Sequence, residues 1–171
     1  ENRGVDLSEF KRHKPVLAEE ILGIIPETGA LRVIDCNVGY GGHSSLILRK
    51  NGLAELIGID RDGDAISGAE ETLKFASGRF KLKRGSFGDL KDLAAGEGWA
   101  SADVVLFDLG VSSPQIDDPR RGFSFRFDGP LDMRMDKRSV LTASRILNTW
   151  GLDELTDIFR RYGELRNPGR L

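Results

Sequence analysis

Short apolar runs that end in an acid alternate, through the first 108 positions, with stretches whose apolar side chains recur at helical spacing. Pro15 opens the first such stretch; Val16, Leu17, Ile21, Leu22 and Ile25 form its apolar face, and Pro26 and Gly29 end it. LRVIDC at 31–36 has the pattern of a buried strand and runs into the glycine-rich VGYGGHS, after which SSLILRK supplies a helix. AELIGID at 54–60 is a second buried strand, and a helix is expected over 64–76. RFKLKRG at 79–85 alternates apolar and basic residues, as suits a strand at a sheet edge. ADVVLFD at 102–108 is the most hydrophobic of the four and stops at Asp108. Strands separated by helices predict an α/β fold with a parallel sheet and right-handed crossovers.

Past Asp108 the periodicity stops. Residues 109–137 are rich in Gly, Pro, Ser, Arg and Phe and form too long a segment for a passive connection. Helices follow over 140–149 and 152–162, the second with Leu152, Leu155, Ile158 and Phe159 on one face. This divides the chain into an α/β core at 1–108, an active-site and substrate loop at 109–138, and the start of a helical insertion at 139–171.

A length of 171 residues suits one domain with a real core. The 25 basic and 27 acidic side chains nearly cancel, which excludes a histone-like tail or an acidic disordered segment. Their distribution is uneven. Residues 1–118 carry 14 basic and 20 acidic side chains (net −6), whereas 119–171 carry 11 and 7 (net +4), so a polyanion would land on the last third. The 21 glycines cluster without a period, which excludes a collagen-like chain. A single cysteine, Cys36, leaves no intrachain disulfide and no paired-cysteine metal site, and no metal is expected. No apolar run approaches the roughly 18 residues of a membrane span, and the polar opening lacks a signal peptide's apolar centre. The expectation is a cytoplasmic or organelle-matrix protein with no membrane partner; a homodimer is compatible with the sequence. A chain opening at Glu1 also suggests further sequence beyond it.

The loop Gly39-Tyr40-Gly41-Gly42-His43 lies between a strand and a helix, where glycines permit tight turning and let a ligand approach bare peptide groups. Asp60 closes the next strand 18 residues beyond Gly42, where a carboxylate can accept both hydroxyls of a ribose. That position serves nicotinamide dinucleotides and S-adenosylmethionine equally. Asp35, before the glycine loop, would suit a ligand carrying an amine, as S-adenosylmethionine does; a turn carboxylate is the alternative. Phe87 can cover an adenine face or be an ordinary core residue. Asp108 opens DLGVSSPQ at the carboxyl end of the fourth strand, where ligands meet open α/β sheets.

HKPVLAEE, DCNVGYGGHS, IGIDRD, GSF, DLGVSSPQIDD, RGFSF and DGPLDMRMD, in this order, resemble the bacterial and organellar small-subunit ribosomal RNA cytosine-N4 methyltransferases, the RsmH or MraW family. The resemblance runs from about His13 to the end. It implies a Rossmann-like methyltransferase fold, S-adenosylmethionine as cofactor, and methylation of a cytidine's exocyclic amine in the decoding region of the ribosome. It carries cofactor roles onto Gly41, Gly42, His43, Asp60, Phe87, Asp108 and Gln115. By analogy with other amino-methyltransferases, Asp108 takes the catalytic position of their acidic-proline motif.

Asn37 stands where the family usually has threonine, an expected change of detail. Only four strands can be counted, so the chain reads as the N-terminal part of the enzyme. Arg120, Arg121, Arg126, Arg134, Lys137 and Arg138 are interleaved with phenylalanines and can neutralise phosphates, with Arg120, Arg121 and Arg134 taken as the RNA-binding residues; the alternative is that the arginines pair with Asp117, Asp118, Asp128, Asp132 and Asp136. Phe123, Phe125 and Phe127 read as core or loop anchors, with base stacking as the alternative. A nicotinamide-dependent oxidoreductase and an inactive cofactor-binding fragment stay open as other functions.

Overall fold

The computed structural model describes residues 15–166. They form two compact units, one ending at Gly110 and the other beginning at Val111.

The first unit is a four-stranded sheet of β1 (Leu31–Asp35), β2 (Ala54–Asp60), β3 (Phe80–Arg84) and β4 (Val104–Leu106) in the order β3-β2-β1-β4. Every pairing is parallel: Asp35 lies opposite Gly58 and Leu106, and Asp60 opposite Arg84, so the carboxyl ends of all four strands share one edge. This is the α/β, Rossmann-like architecture expected. The crossovers contain α2 (Gly42–Lys50), α3 (Gly63–Leu73) and α4 (Leu90–Gly96), with α1 (Ala18–Ile24) ahead of β1.

Strand alternation sends side chains to two cores. Val33, Leu56, Ile47, Leu48 and Leu73 fill one, while Ile34, Ile57, Ile59 and Ala94 fill the other. RFKLKRG is an edge strand, as its basic alternation predicts. ADVVLFD departs from expectation: β4 keeps three residues and flanks β1 on one side only, so Val105 and Phe107 are half exposed despite the hydrophobic sequence.

Asn51, 0% exposed, joins α1, α2 and β2. Its side-chain amide donates to the carbonyls of Pro26 (3.0 Å) and Gly29 (3.1 Å), and its Oδ1 accepts from the Leu53 amide (2.8 Å). All three backbone groups lose their partner in Asn51→Ala, which is expected to lower stability by about 2–4 kcal/mol. Urea unfolding checks this, and a loss under 1 kcal/mol would mean that water replaces the amide.

The second unit holds α5 (Ser113–Asp117), α6 (Ala143–Thr149) and α7 (Leu152–Arg161). Helix α5 was not foreseen; it is a single turn with Pro114 in its first turn. FSFRF is neither strand nor helix. The loop between α5 and α6 is tied at its base, where the Met133 amide donates to the Arg121 carbonyl (3.0 Å) and the Ala143 amide to that of Asp132 (2.8 Å).

Candidate functional site

In the first unit, the glycine loop leaves β1 at the edge where β2 and β4 also end. Gly39 and Gly41 take left-handed backbone angles (φ 53° and 83°), which turn the chain sharply into α2. The Gly39 amide donates to Asp60 Oδ2 (3.0 Å), and the Asp62 amide to Asp60 Oδ1 (2.9 Å). Asp60 therefore fixes the loop against the end of β2 while each oxygen retains acceptor capacity. Burial raises the pKa of its carboxyl above the ordinary value, and the two amides oppose that shift.

Gly41 was expected to leave room for a ligand. A Cβ there would instead meet Ala69 and Leu73 of α3, each at 3.4 Å, so this glycine serves loop conformation and contact with α3. A Cβ on Gly42 would point at the Pro15 ring. The amides of Gly39 and Gly41 are already bonded, to Asp60 and to the Val38 carbonyl, which leaves the amides at the start of α2 to a ligand.

Asp35 is also corrected. It is 1% exposed; Oδ2 accepts from the Ser44 hydroxyl (2.7 Å) and Oδ1 from the Asn37 amide (3.3 Å), so it braces the loop and does not reach a ligand amine directly. Burial pushes it up to about 6, the Ser44 and Asn37 hydrogen bonds pull the other way, and Asp108 and Asp60 add to the rise. The folded chain thus holds this proton more tightly than the unfolded chain, whose Asp titrates near 3.8. The associated stability is complete below about pH 3.8 and is lost as pH rises through about 6. Asp35→Asn is expected to gain on the parent by about 1–3 kcal/mol between pH 4 and pH 8. Unfolding at both pH values checks this, and a pH-independent difference would contradict the assignment.

His43, in the first turn of α2, is 6% exposed. Its Nε2 lies 3.4 Å from Asp108 Oδ2 without hydrogen-bond geometry, and neither ring nitrogen has a hydrogen-bond partner among the described residues. Burial lowers the pKa of the ring below the ordinary value and the Asp108 carboxylate opposes this. Asn37 Oδ1 is likewise buried without a partner. Such unmet hydrogen-bonding capacity is costly and marks places where a polar ligand fits.

Phe87 is no core residue. It opens a short 3₁₀ turn after β3, partly exposed, with its ring edge-on to Phe107 (centroids 5.7 Å apart, planes at 85°). The Arg61 guanidinium lies 6.0 Å from the Phe87 ring centroid and donates to the Ser86 hydroxyl at 2.7 Å. Phe107 and Arg61 were missed; each adjoins an acid that ends a strand, a signal that the sequence carried. Asp35, Gly39, Gly41, Gly42, His43, Asp60, Phe87 and Asp108 all belong to this first unit.

Gln115 belongs to the second unit, buried, with Oε1 accepting from the Ser112 amide (2.9 Å) at the start of α5. In the loop that follows, the arginines divide. Arg120, Arg134 and Arg138 each fold back onto the aspartate two residues earlier, with Nη2 to Oδ2 distances of 2.9, 2.7 and 2.8 Å. Three Asp-x-Arg units thus share one geometry, in which the aspartate also accepts the arginine's backbone amide. Arg121 is 5% exposed and donates to the carbonyls of Arg134 (3.0 Å) and Met135 (3.3 Å). The expectation that Arg121 faces RNA is therefore wrong: its cation closes the loop from inside.

A family model described as the MraW methylase family matches residues 10–171. The chain belongs to the MraW methylase family. Among its relatives, the ribosomal RNA small subunit methyltransferase H of Trichlorobacter lovleyi is 45% identical over 161 residues, covering 94% of this chain and 51% of the relative. The protein of the same name from Mycoplasma mycoides subsp. mycoides is 44% identical over 154 residues, covering 90% and 50%. The chain spans about half the length of the curated relatives it matches. Among solved structures, the C-terminal domain of precorrin-6Y C5,15-methyltransferase from Rhodobacter capsulatus aligns with a TM-score of 0.48 at 17% identity over 65% of this chain and 60% of that one. An rRNA methylase from Streptococcus thermophilus aligns at 0.37 and 14% identity over 44% of each chain.

Among the described residues, no group of three His, Cys, Asp or Glu side chains could hold a metal ion, and no helix is long and apolar enough to cross a membrane.

Proposed function

We propose that this chain is the S-adenosylmethionine-binding part of a cytoplasmic enzyme that methylates N4 of a cytidine in small-subunit ribosomal RNA. The observation that supports this most is the unsatisfied His43 ring beside Asp108, following a glycine loop that Asp60 fixes, in a MraW-family chain. S-Adenosylmethionine, when bound, supplies an electrophilic methyl group on a sulfonium.

In this reading Asp60 accepts the ribose hydroxyls, Phe87 covers the adenine, and the His43 ring with the amides at the start of α2 binds the methionine end. Asp35 acts through the loop that it braces. Asp108 accepts a hydrogen bond from the exocyclic amine of cytosine, whose lone pair is conjugated into the ring and must be drawn out of it. As the nitrogen takes the methyl it gives up a proton, and Asp108 stands where that proton leaves. Gln115 and the arginine-rich loop carry over by motif, the loop toward RNA.

The test incubates the chain with isotopically labelled S-adenosylmethionine and unmodified small ribosomal subunits, then analyses nucleosides by mass spectrometry. Label in N4-methylcytidine, absent with Asp108→Ala, is expected. Label at another position would move the reading to a different RNA methyltransferase. Cofactor binding with no transfer would favour the binding-only fragment.

A further inference from the structure

We propose that Phe125, Arg126 and Phe127 form a finger that stacks on an unpaired base of single-stranded RNA. This rests on the RNA substrate proposed above and narrows the contact to one of the cations read from the sequence and the two aromatics beside it.

Phe125 is fully exposed and Phe127 half exposed, so neither anchors the loop as expected. Between them, exposed Arg126 uses its backbone amide to donate to the Ser124 hydroxyl (3.1 Å), and its guanidinium has no partner among the described residues. The neighbouring arginines differ: Arg120, Arg134 and Arg138 carry their own aspartates, and Arg121 is buried. One cation flanked by two aromatic side chains is therefore presented beside arginines that already carry aspartates.

The tip stands on a rigid base. Gly122, at φ 70°, lets its backbone press against the Pro130 carbonyl, and Gly129 does the same against that of Pro119, where any side chain would collide. With the Met133 amide bonded to the Arg121 carbonyl, both ends of the tip are held. Tying both ends limits the backbone entropy that the tip loses when a base stacks on it.

The choice of RNA as occupant follows from charge. A nucleotide offers a π face to each ring and a phosphate to Arg126, and every base has such a face. A second copy of this chain would bury the same rings, and the test below separates that occupant from RNA.

Fluorescence anisotropy with a labelled single-stranded RNA, and with its duplex, tests the finger. Phe125→Ala is expected to weaken single-strand binding about 5- to 150-fold, the range for loss of one stacked base, without changing the salt dependence. Phe125→Trp should retain affinity and quench a 2-aminopurine base in the strand. Arg126→Gln should lower the salt slope by about 0.7, one phosphate. Cofactor titration is run on every variant and should not change.

Parental affinity in Phe125→Ala, or equal binding of duplex and single strand, overturns the finger and leaves the methyltransferase reading standing. No RNA binding by the parent overturns the finger, while the reading itself then stands or falls with the nucleoside analysis. Self-association lost in Phe125→Ala with RNA binding intact would assign the tip to a second copy instead.

Discussion

Asp60→Ala is expected to weaken S-adenosylmethionine binding by about 1.5–3 kcal/mol, roughly a 10- to 150-fold rise in Kd, the scale for hydrogen bonds to a charged group. Asp60 accepts the Gly39 and Asp62 amides, and in the proposed reading its remaining lone pairs take the ribose hydroxyls. The alanine variant removes both, so Asp60→Asn is the informative companion. Its one carbonyl oxygen still accepts, and it should retain more of the affinity than alanine does. Titration calorimetry measures all three proteins; an unchanged Kd in Asp60→Ala removes Asp60 from the site.

The other large effect belongs to the second unit. Arg121→Ala leaves the carbonyls of Arg134 and Met135 unpaired inside the loop and is expected to destabilise it by about 2–4 kcal/mol. Hydrogen exchange reads this at the Met133 amide, which closes the base of the loop on the Arg121 carbonyl. Its protection should fall at least tenfold. Arg120→Ala removes an exposed guanidinium from Asp118 and should leave that amide nearly as protected as in the parent. Equal effects of the two substitutions would contradict the separation of a buried arginine from its exposed neighbours.

The two halves of the chain differ in how much could be read from residue order. The strands and their helices follow from period and from the acids at their ends, because a parallel sheet imposes apolar runs and places the following loops on one edge. Asp60 and Phe87 were singled out in this way, and the structure places one at the loop's amides and the other against Phe107 and Arg61. Asp35 shows the limit: an acid at a strand end reads the same whether it faces a ligand or turns inward to Ser44 and Asn37.

In the loop after α5, local chemistry decided what periodicity could not. Asp-x-Arg recurs at Asp118, Asp132 and Asp136, and the spacing lets each aspartate take its arginine's backbone amide and side chain together. That pairing was legible, and it is the alternative to RNA contact that the sequence offers for these arginines. Burial of Arg121 was not legible, since it depends on carbonyls 13 and 14 residues away. The exposure of Phe125 reverses an expectation based on residue type, and it follows from a loop whose glycines bring its two ends together.

The central claim is that the edge holding His43, Asp60, Phe87 and Asp108 is an S-adenosylmethionine site. Titration calorimetry of the parent chain with S-adenosylmethionine, S-adenosylhomocysteine and NAD in parallel tests it most directly. The account predicts saturable one-to-one binding of the first two and no heat from NAD. Saturable binding of NAD without S-adenosylmethionine, or no binding of either S-adenosyl ligand at millimolar concentration, would contradict it.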